Sequence, residues 1–180
     1  MVAVCVALTL AACTSSTPHD PTTPSIVGPS ASSSRSAAPL TMADAPSCPV
    51  TLPAHGPPGP AKQGLFGWGA SHGNGDLWVG GLWPLGVIEA GPDFIDHFGR
   101  VGMKFGWWRE VAGQLRITGR RLDASAPPVR SDIPDGYGSS GFQATGVIFP
   151  TEGCWEVTGT VDGSSLSFVT FVIKRASTSS

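Results

Sequence analysis

The 180-residue sequence contains few charged residues and no excess of either sign. Asp, Glu, Lys and Arg together make up 13% of the chain, about half of their usual share. The formal net charge is −2. Because a nucleic-acid-binding surface requires a clear positive excess, this composition excludes nucleic acid as a partner.

Sustained helical periodicity is also missing, whereas turn-forming residues are abundant. The chain contains 24 glycines and 17 prolines, about twice their ordinary share. No long window repeats apolar residues every 3.6 positions, and the best helix candidate, Asp93–Phe98, amounts to a turn or two. The sequence therefore excludes a helical bundle or a coiled coil.

The one long apolar run, Val2–Ala12, is too short to cross a bilayer. As a helix it would rise about 17 Å, against a hydrocarbon core of ~30 Å. A run of this length near an N-terminus is typical of an export signal, so residues 1–12 are predicted to be a signal peptide. No Lys or Arg precedes the run, although export signals usually carry positive charge there; a start codon assigned too far downstream would explain this.

The run ends in Leu10-Ala11-Ala12-Cys13, which resembles the lipobox of bacterial lipoproteins. In that family the Cys becomes the first residue of the mature protein and carries lipid. The resemblance implies lipidation at Cys13 and a lipid-anchored location on the extracytoplasmic side of the cell membrane, since multiple acyl chains anchor stably. The alternative is ordinary secretion, which would leave Cys13 as an unmodified thiol.

Two cysteines remain once Cys5 is assigned to the signal peptide and Cys13 to lipidation. An exported chain meets an oxidising compartment, so Cys48 and Cys154 are predicted to form a disulfide. Two buried free thiols are the alternative. No CxxC or His-x-x-His spacing accompanies them, and no metal is predicted.

Composition divides the rest of the chain into further parts. Residues 13–46 are rich in Ser, Thr, Pro and Ala and contain no aromatic residue, so they are predicted to be a disordered linker, of a composition that can carry O-linked sugars. Residues 47–64 are predicted to form a Pro/Gly-rich strap held through Cys48. Residues 65–175 are predicted to be the folded domain, and residues 176–180 a tail.

All six Trp, all eight Phe and the single Tyr follow the linker, which places the core in the predicted domain. Short apolar runs between turn residues predict seven strands, at Asp76–Val79, Gly86–Ala90, Val101–Phe105, Gln114–Leu122, Gln143–Phe149, Cys154–Val161 and Leu166–Lys174. The dipeptide Asp162-Gly163 predicts a hairpin between the last two. This pattern predicts an all-β fold, an antiparallel immunoglobulin-like β-sandwich.

Four stretches of the predicted domain resemble the immunoglobulin-like domains of bacterial exported lipoproteins. They are WPLGVI (Trp83–Ile88), MKFGWWR (Met103–Arg109), GYGSSGFQATG (Gly136–Gly146) and FPTEGCWEVTG (Phe149–Gly159). The resemblance implies a fold and an extracytoplasmic location and brings no established activity. Antibody-type domains join their two sheets through cysteines, whereas Cys48 precedes the first predicted strand and would tie the strap to a late strand.

Tryptophan and arginine side chains supply the candidate binding face. Neighbouring residues of a strand point to opposite faces, so one of Trp107 and Trp108 is predicted to enter the core and the other to approach solvent. The predicted face consists of Trp83, Trp107, Trp108, Arg109, Arg116 and Arg120. Trp and Arg are enriched at interface hot spots, and a flat aromatic surface suits a sugar or a peptide. The alternative is that the Trp residues simply fill the core.

These features predict a binding or structural module at the cell envelope, with no cofactor and no catalytic residue. Its expected partners are the membrane, through lipid on Cys13, and an envelope glycan or another envelope protein. The alternative is an extracytoplasmic enzyme or metal-handling protein with a site near His72, Asp76, His97 and Glu152. That site would require the four side chains to converge in one pocket, and the sequence has neither an HExxH nor a Gly-x-Ser-x-Gly motif.

Overall fold

The computed structural model describes residues 40–55 and 70–175. The predicted signal peptide, Cys13, most of the predicted linker and the predicted tail lie outside these residues. The described strands are Ala54–His55 (β1), Ala70–Gly73 (β2), Leu77–Gly80 (β3), Val87–Ala90 (β4), Val101–Arg109 (β5), Arg116–Arg121 (β6), Arg130–Asp132 (β7), Gly141–Phe149 (β8), Gly153–Val161 (β9) and Ser164–Lys174 (β10). In the same ranges the helices are two short 3-10 helices, Met42–Ser47 and Pro92–Phe94, and none could span a bilayer.

Two sheets pack face to face and enclose one main apolar core. The six-stranded sheet has the order β1-β2-β3-β5-β8-β7, and the four-stranded sheet has the order β4-β10-β9-β6. Val79 and Phe105 enter the core from the six-stranded sheet, and Trp155 and Phe168 enter it from the four-stranded sheet. The predicted all-β sandwich is confirmed.

Each of the seven predicted strands is present, and the described residues form three more, β1, β2 and β7. These three strands contain two, four and three residues. β1 and β7 are the two edges of the six-stranded sheet, and every residue of β7 is exposed. These strands are too short to show an alternating apolar pattern, so the sequence analysis did not predict them.

One strand pair departs from the predicted antiparallel arrangement. β4 runs parallel to β10, with Val87 opposite Phe171 and Ala90 opposite Lys174. β9 and β10 are antiparallel because a tight hairpin joins them, and its residues Asp162 and Gly163 both have positive φ angles. Most of the domain separates β4 from β10 along the chain, so no hairpin dictates their direction.

Side chains of β5 alternate between the core and the outer face of the six-stranded sheet. Trp107 is fully buried and Trp108 is half-buried, which confirms that the two rings point to opposite faces. The Trp107 ring lies against Gly159 of β9, where an added Cβ would be 2.5 Å from ring atoms. Only glycine at position 159 leaves room for this ring.

The predicted disulfide between Cys48 and Cys154 is present, with a Cα–Cα distance of 5.5 Å. It lies in a second apolar cluster, formed by Cys48, Val87, Cys154, Phe171 and Ile173. Leu40, Ala45 and Val50 pack against this cluster. The disulfide therefore ties the leading segment, residues 40–55, to the start of β9.

The leading segment also binds β10 through its backbone. The Thr51 amide donates to the Val169 carbonyl (2.8 Å), and the Val169 amide donates to Thr51 Oγ1 (2.9 Å). Val50 passes so close to Gly86 that a Cβ added there would lie 2.6 Å from Val50 Cβ. The leading segment therefore lies beside β10 at Val169, just before the residues of β10 that pair with β4. It extends that edge of the four-stranded sheet.

The predicted linker boundary at residue 46 falls inside an ordered helix. The 3-10 helix Met42–Ser47 begins after Thr41, whose amide and Oγ1 both donate to Asp44 Oδ2, at 2.7 and 3.0 Å. Leu40 and Ala45 add apolar contacts to the disulfide cluster. These contacts half-bury Leu40 and Ala45, which the composition of the predicted linker did not indicate.

Replacing both bridge residues, Cys48→Ala with Cys154→Ala, should lower the free energy of unfolding by about 2–5 kcal/mol. The bridge closes a sequence separation of 106 residues and so restricts the unfolded chain. Chemical denaturation of the oxidised protein, the reduced protein and the double variant measures this loss. The reduced protein is the matched control because it keeps both side chains; equal stability of all three forms would contradict the stabilising role.

Trp107→Ala should lower the free energy of unfolding by about 3–5 kcal/mol, because truncating a fully buried Trp leaves a cavity. Trp108→Ala should cost only about 1 kcal/mol, since its half-buried ring lies outside the core. Thermal and chemical denaturation of the two variants provides the comparison, and equal losses would be incompatible with the alternation of β5.

Candidate ligand-binding cleft

An open cleft of about 910 Å³ lies where the two sheets meet along one side of the sandwich. One wall is formed by residues 114–118, which include the first three residues of β6. The other wall is formed by residues 133–139, between β7 and β8. Arg109, Ser131 and Gln143 also line it. Its volume is within the range of small-molecule sites in proteins.

Hydrogen bonds between strand edges hold the cleft walls together. β6 is an edge of the four-stranded sheet and β7 is an edge of the six-stranded sheet. Ser131 Oγ donates to the Ile117 carbonyl (3.3 Å), and the Gly113 amide donates to the Ser139 carbonyl (2.8 Å). Gly113 has a φ of 145°, and a Cβ there would lie 2.8 Å from Val161. Position 113, where the chain passes close to Val161, therefore requires glycine.

Arg109 is the last residue of β5 and is buried at the floor of the cleft, with 3% of its surface exposed. Its Nη1 donates to the Gly113 carbonyl (2.7 Å) and its Nη2 to the Gly138 carbonyl (2.6 Å). Burial holds the pKa of its guanidinium below the ordinary value, because desolvation disfavours the charged form. Nε is closed off from solvent and has no hydrogen-bond partner among the residues that the structure describes.

Gln143 is the second buried polar residue of the cleft, at 7% exposure. Arg109 lies opposite Gly141 in the β5–β8 register, so Gln143 is its diagonal neighbour on the inner face of the sheet. Gln143 Nε2 donates to the Pro134 carbonyl (3.3 Å), and Oε1 is buried with no hydrogen-bond partner in residues 40–55 and 70–175. Both Arg109 Nε and Gln143 Oε1 are closed off from solvent, so neither atom is open to the cleft.

The rim of the cleft is more exposed than its floor. The Tyr137 side chain is 39% exposed and rests edge-on against Phe142, with ring centroids 6.2 Å apart and an interplanar angle of 69°. Arg116 and Asp135 are exposed and line the same cleft. The rim therefore offers a cation, an anion and an aromatic ring to a ligand.

The three tryptophans of the predicted binding face do not form one surface. Trp107 lies in the core, and Trp108 lies on the outer face of the six-stranded sheet. Trp83 is half-buried and packs edge-on against Phe105, with ring centroids 6.5 Å apart. Instead, the β3–β5–β8 register places Trp78, Trp108 and Phe142 in one row on that outer face, an arrangement the sequence analysis missed.

The three predicted arginines are also separated. Arg109 is buried at the cleft floor, and Arg116 lies on the cleft rim. Arg120 lies outside the cleft and pairs with Glu156, with Nε 2.9 Å from Oε1. The prediction that they border one exposed aromatic face was wrong because β6, although next in sequence after β5, belongs to the other sheet.

The side chains of the alternative enzyme or metal site do not converge. Asp76 adjoins the end of β5, since its carbonyl accepts from the Glu110 amide (2.8 Å), and His72 is on the neighbouring strand β2. His97 precedes β5, and Glu152 follows β8, which ends beside the first residue of β5. The nine residues of β5 separate the two ends by roughly 30 Å. In residues 40–55 and 70–175 no three His, Cys, Asp or Glu side chains are grouped so as to hold a metal ion.

Comparison of the chain with protein-family models, with curated proteins and with solved structures finds no match. No relative therefore supplies a ligand or a functional residue for this chain. The feature that points to a ligand is the open cleft, with the exposed side chains of Arg116, Asp135 and Tyr137 on its rim. Sequence reasoning identified Arg109 but missed Gln143 and the glycine-rich wall around Tyr137.

Proposed function

We propose that the protein is a lipid-anchored binding module on the extracytoplasmic side of the cell membrane, with an envelope glycan bound in its cleft. The observation that carries this proposal is the open cleft of about 910 Å³, whose rim carries the exposed side chains of Arg116, Asp135 and Tyr137. Tyr and Arg side chains are enriched at binding hot spots.

The location rests on two features of the chain. Leu10-Ala11-Ala12-Cys13 resembles a lipobox at the end of an apolar run. The Cys48–Cys154 disulfide belongs to proteins of oxidising compartments and is rare in the cytosol. Both features favour export followed by anchoring through Cys13.

The position of the cleft suits a tethered binding module. The disulfide holds the leading segment at Cys154, near the start of β9. Arg116, on the cleft rim, lies opposite Thr160, near the other end of β9. Six residues of strand separate these points by about 20 Å. The leading segment thus joins the sandwich at the end of β9 that is remote from the cleft.

A glycan is the proposed partner because the cleft rim is polar. Arg116 supplies hydrogen-bond donors, Asp135 supplies acceptors and Ser139 supplies both. A sugar hydroxyl can donate and accept, so it can use all three. The exposed ring of Tyr137 offers an apolar face against which a sugar ring can pack.

Cys13→Ala should prevent lipid attachment and release the protein from the membrane fraction, since an unlipidated chain loses the anchor. Labelling with an alkyne fatty acid and fractionation of expressing cells measure both effects. Cys5→Ala is the matched control, because that cysteine lies within the apolar run and should not affect anchoring. Continued membrane retention of the Cys13→Ala chain would contradict the proposed anchor.

The full-length protein should cosediment with insoluble envelope glycan purified from the cells that produce it. The double variant Arg116→Gln with Tyr137→Ala should lower the bound fraction about five- to tenfold, because both exposed side chains border the cleft. Arg120→Gln changes an exposed arginine outside the cleft and should bind like the wild type. Identical binding by all three proteins would argue against the cleft as the site.

A further inference from the structure

Two exposed phenylalanines lie on the short segment between β4 and β5. Phe94 is 51% exposed and Phe98 is 70% exposed, which makes Phe98 the most exposed large apolar side chain of the described residues. A single exposed apolar side chain is ordinary on a protein surface, whereas neighbouring ones mark a contact surface. Neither ring belongs to the core or lines the cleft, so the two together point to a further contact.

A tight turn holds Phe98 outward in a defined position. Asp96 Oδ1 accepts hydrogen bonds from the Phe98 and Arg100 amides, both at 2.9 Å. The Gly99 amide closes the turn by donating to the Asp96 carbonyl (2.8 Å). The Phe98 ring rests against the His97 ring, with centroids 3.7 Å apart, and the Arg100 guanidinium lies 4.8 Å from its centroid. Because the turn is already ordered, little conformational entropy is lost when the ring meets another surface.

This turn lies at the end of the sandwich where the leading segment is attached. A Cβ added to Gly99 would lie 3.5 Å from Nζ of Lys174, the last residue of β10. The Lys174 amide donates to Glu152 Oε1 (2.7 Å), just before β9 begins, and the disulfide is formed nearby at Cys154. Leu40, the first described residue, packs against the disulfide cluster. The exposed rings and the start of the described chain are therefore at the same end of the domain.

The predicted linker would keep this end near a membrane that holds Cys13. Roughly 25 residues lie between Cys13 and Leu40, and a flexible chain of that length has an r.m.s. end-to-end distance of about 25–30 Å. A tether of this length raises the local concentration of the bilayer at the tethered domain. Apolar contacts that would be too weak for a free protein are then occupied.

We propose that Phe94 and Phe98 insert into the surface of the bilayer that holds the lipid anchor. This inference rests on the anchoring part of the proposed function and gives the anchored domain an orientation. β5 begins at Val101, beside the rings, and ends at Arg109, at the cleft floor, roughly 30 Å away. The contact would therefore hold the cleft away from the bilayer, where envelope glycan can reach it.

A bilayer fits the two rings better than a second protein surface does. An aromatic side chain has about 150–250 Å² to bury, so the exposed parts of Phe94 and Phe98 supply roughly 250 Å² together. A stable protein interface buries about 800 Å² on each partner. Membrane-surface binding grows with the apolar area that is buried and needs no complementary partner surface.

Attraction between charges does not explain the contact. The ion pairs near this end join Arg100 to Asp96, Arg175 to Glu89 and Arg121 to Asp123. The other charged side chains near the rings are those of Lys174, Asp93 and Glu152. This end therefore has no excess of cations that would draw it to anionic lipid. We expect the contact to depend on apolar burial and to persist at high salt.

Fluorescence quenching of the lipid-modified protein, purified from membranes and placed in vesicles of phosphatidylcholine and phosphatidylglycerol, tests the contact. A nitrobenzoxadiazole label is attached through Asp93→Cys, next to Phe94, or through Ser165→Cys, at the start of β10 and far from Lys174. Side chains at the membrane surface lie about 5–10 Å deep, so nitroxide-bearing lipid should quench most of the fluorescence at position 93. The label at position 165 should keep its fluorescence. Little quenching at position 93, or equal quenching at both positions, would overturn the inference.

Phe94→Ser with Phe98→Ser, in the Asp93→Cys protein, tests the two rings themselves. The fraction in contact with the bilayer should fall about tenfold, because two partly exposed Phe side chains no longer become buried. Leu85→Ser is the matched control, since Leu85 is 66% exposed but lies before β4, and this variant should be quenched like its parent. Undiminished quenching of the double variant, or loss of quenching at high salt, would contradict apolar insertion. If the double variant folds poorly, the comparison of positions 93 and 165 remains decisive.

Fractionation of expressing cells separates this inference from the proposed function. If the protein is lipid-anchored and binds envelope glycan but position 93 is not quenched, the inference is wrong and the binding module stands. If Cys13→Ala stays in the membrane fraction until Phe94→Ser and Phe98→Ser are added, the proposed anchor is wrong and the membrane contact stands. A dimer of the unlipidated protein that the same two substitutions dissociate would show that the rings bind a second copy, which overturns the inference.

Discussion

The alternation of side chains along β5 determines both the core and the floor of the cleft. Trp107 points inward and occupies the space above Gly159, between the two sheets. Arg109 follows two residues later and must point to the same side of the strand. At this position the strand ends, and the carbonyls of Gly113 and Gly138 receive the guanidinium. The pleat that buries the largest side chain of the strand therefore also brings a charge into the interior.

Strands with an apolar face were predictable from the sequence, and strands without one were not. In β9, Trp155 and Val157 alternate with polar residues, and the burial pattern follows that alternation. β7 is Arg130–Asp132, which is fully exposed at the edge of its sheet. Its sequence therefore shows no alternation of apolar and polar residues. The disulfide followed from counting cysteines, because only Cys48 and Cys154 remain beyond the predicted linker and signal peptide.

The cleft was not predictable, because its walls come from strand edges that meet only in the folded sandwich. β5 and β6 are consecutive in the chain but lie in different sheets, so sequence order gave no reason to separate Arg109 from Arg120. Gln143 is polar by type, yet the register places it on the inner face between Gly141 and Thr145. The hydrogen-bond partners of such a side chain depend on where the sheets end, and a local sequence pattern does not indicate this.

The bond between Cys48 and Cys154 also has a mechanical consequence. Tension applied through the chain before residue 40 reaches the leading segment first, which is attached by two hydrogen bonds at Thr51, by the pairing of β1 with β2 and by apolar contacts. Without the disulfide, these non-covalent contacts could break one after another under tension. The covalent bridge transmits the force into β9, an inner strand flanked by β10 and β6. The load is then shared along two hydrogen-bonded strand pairs, β9–β10 and β9–β6.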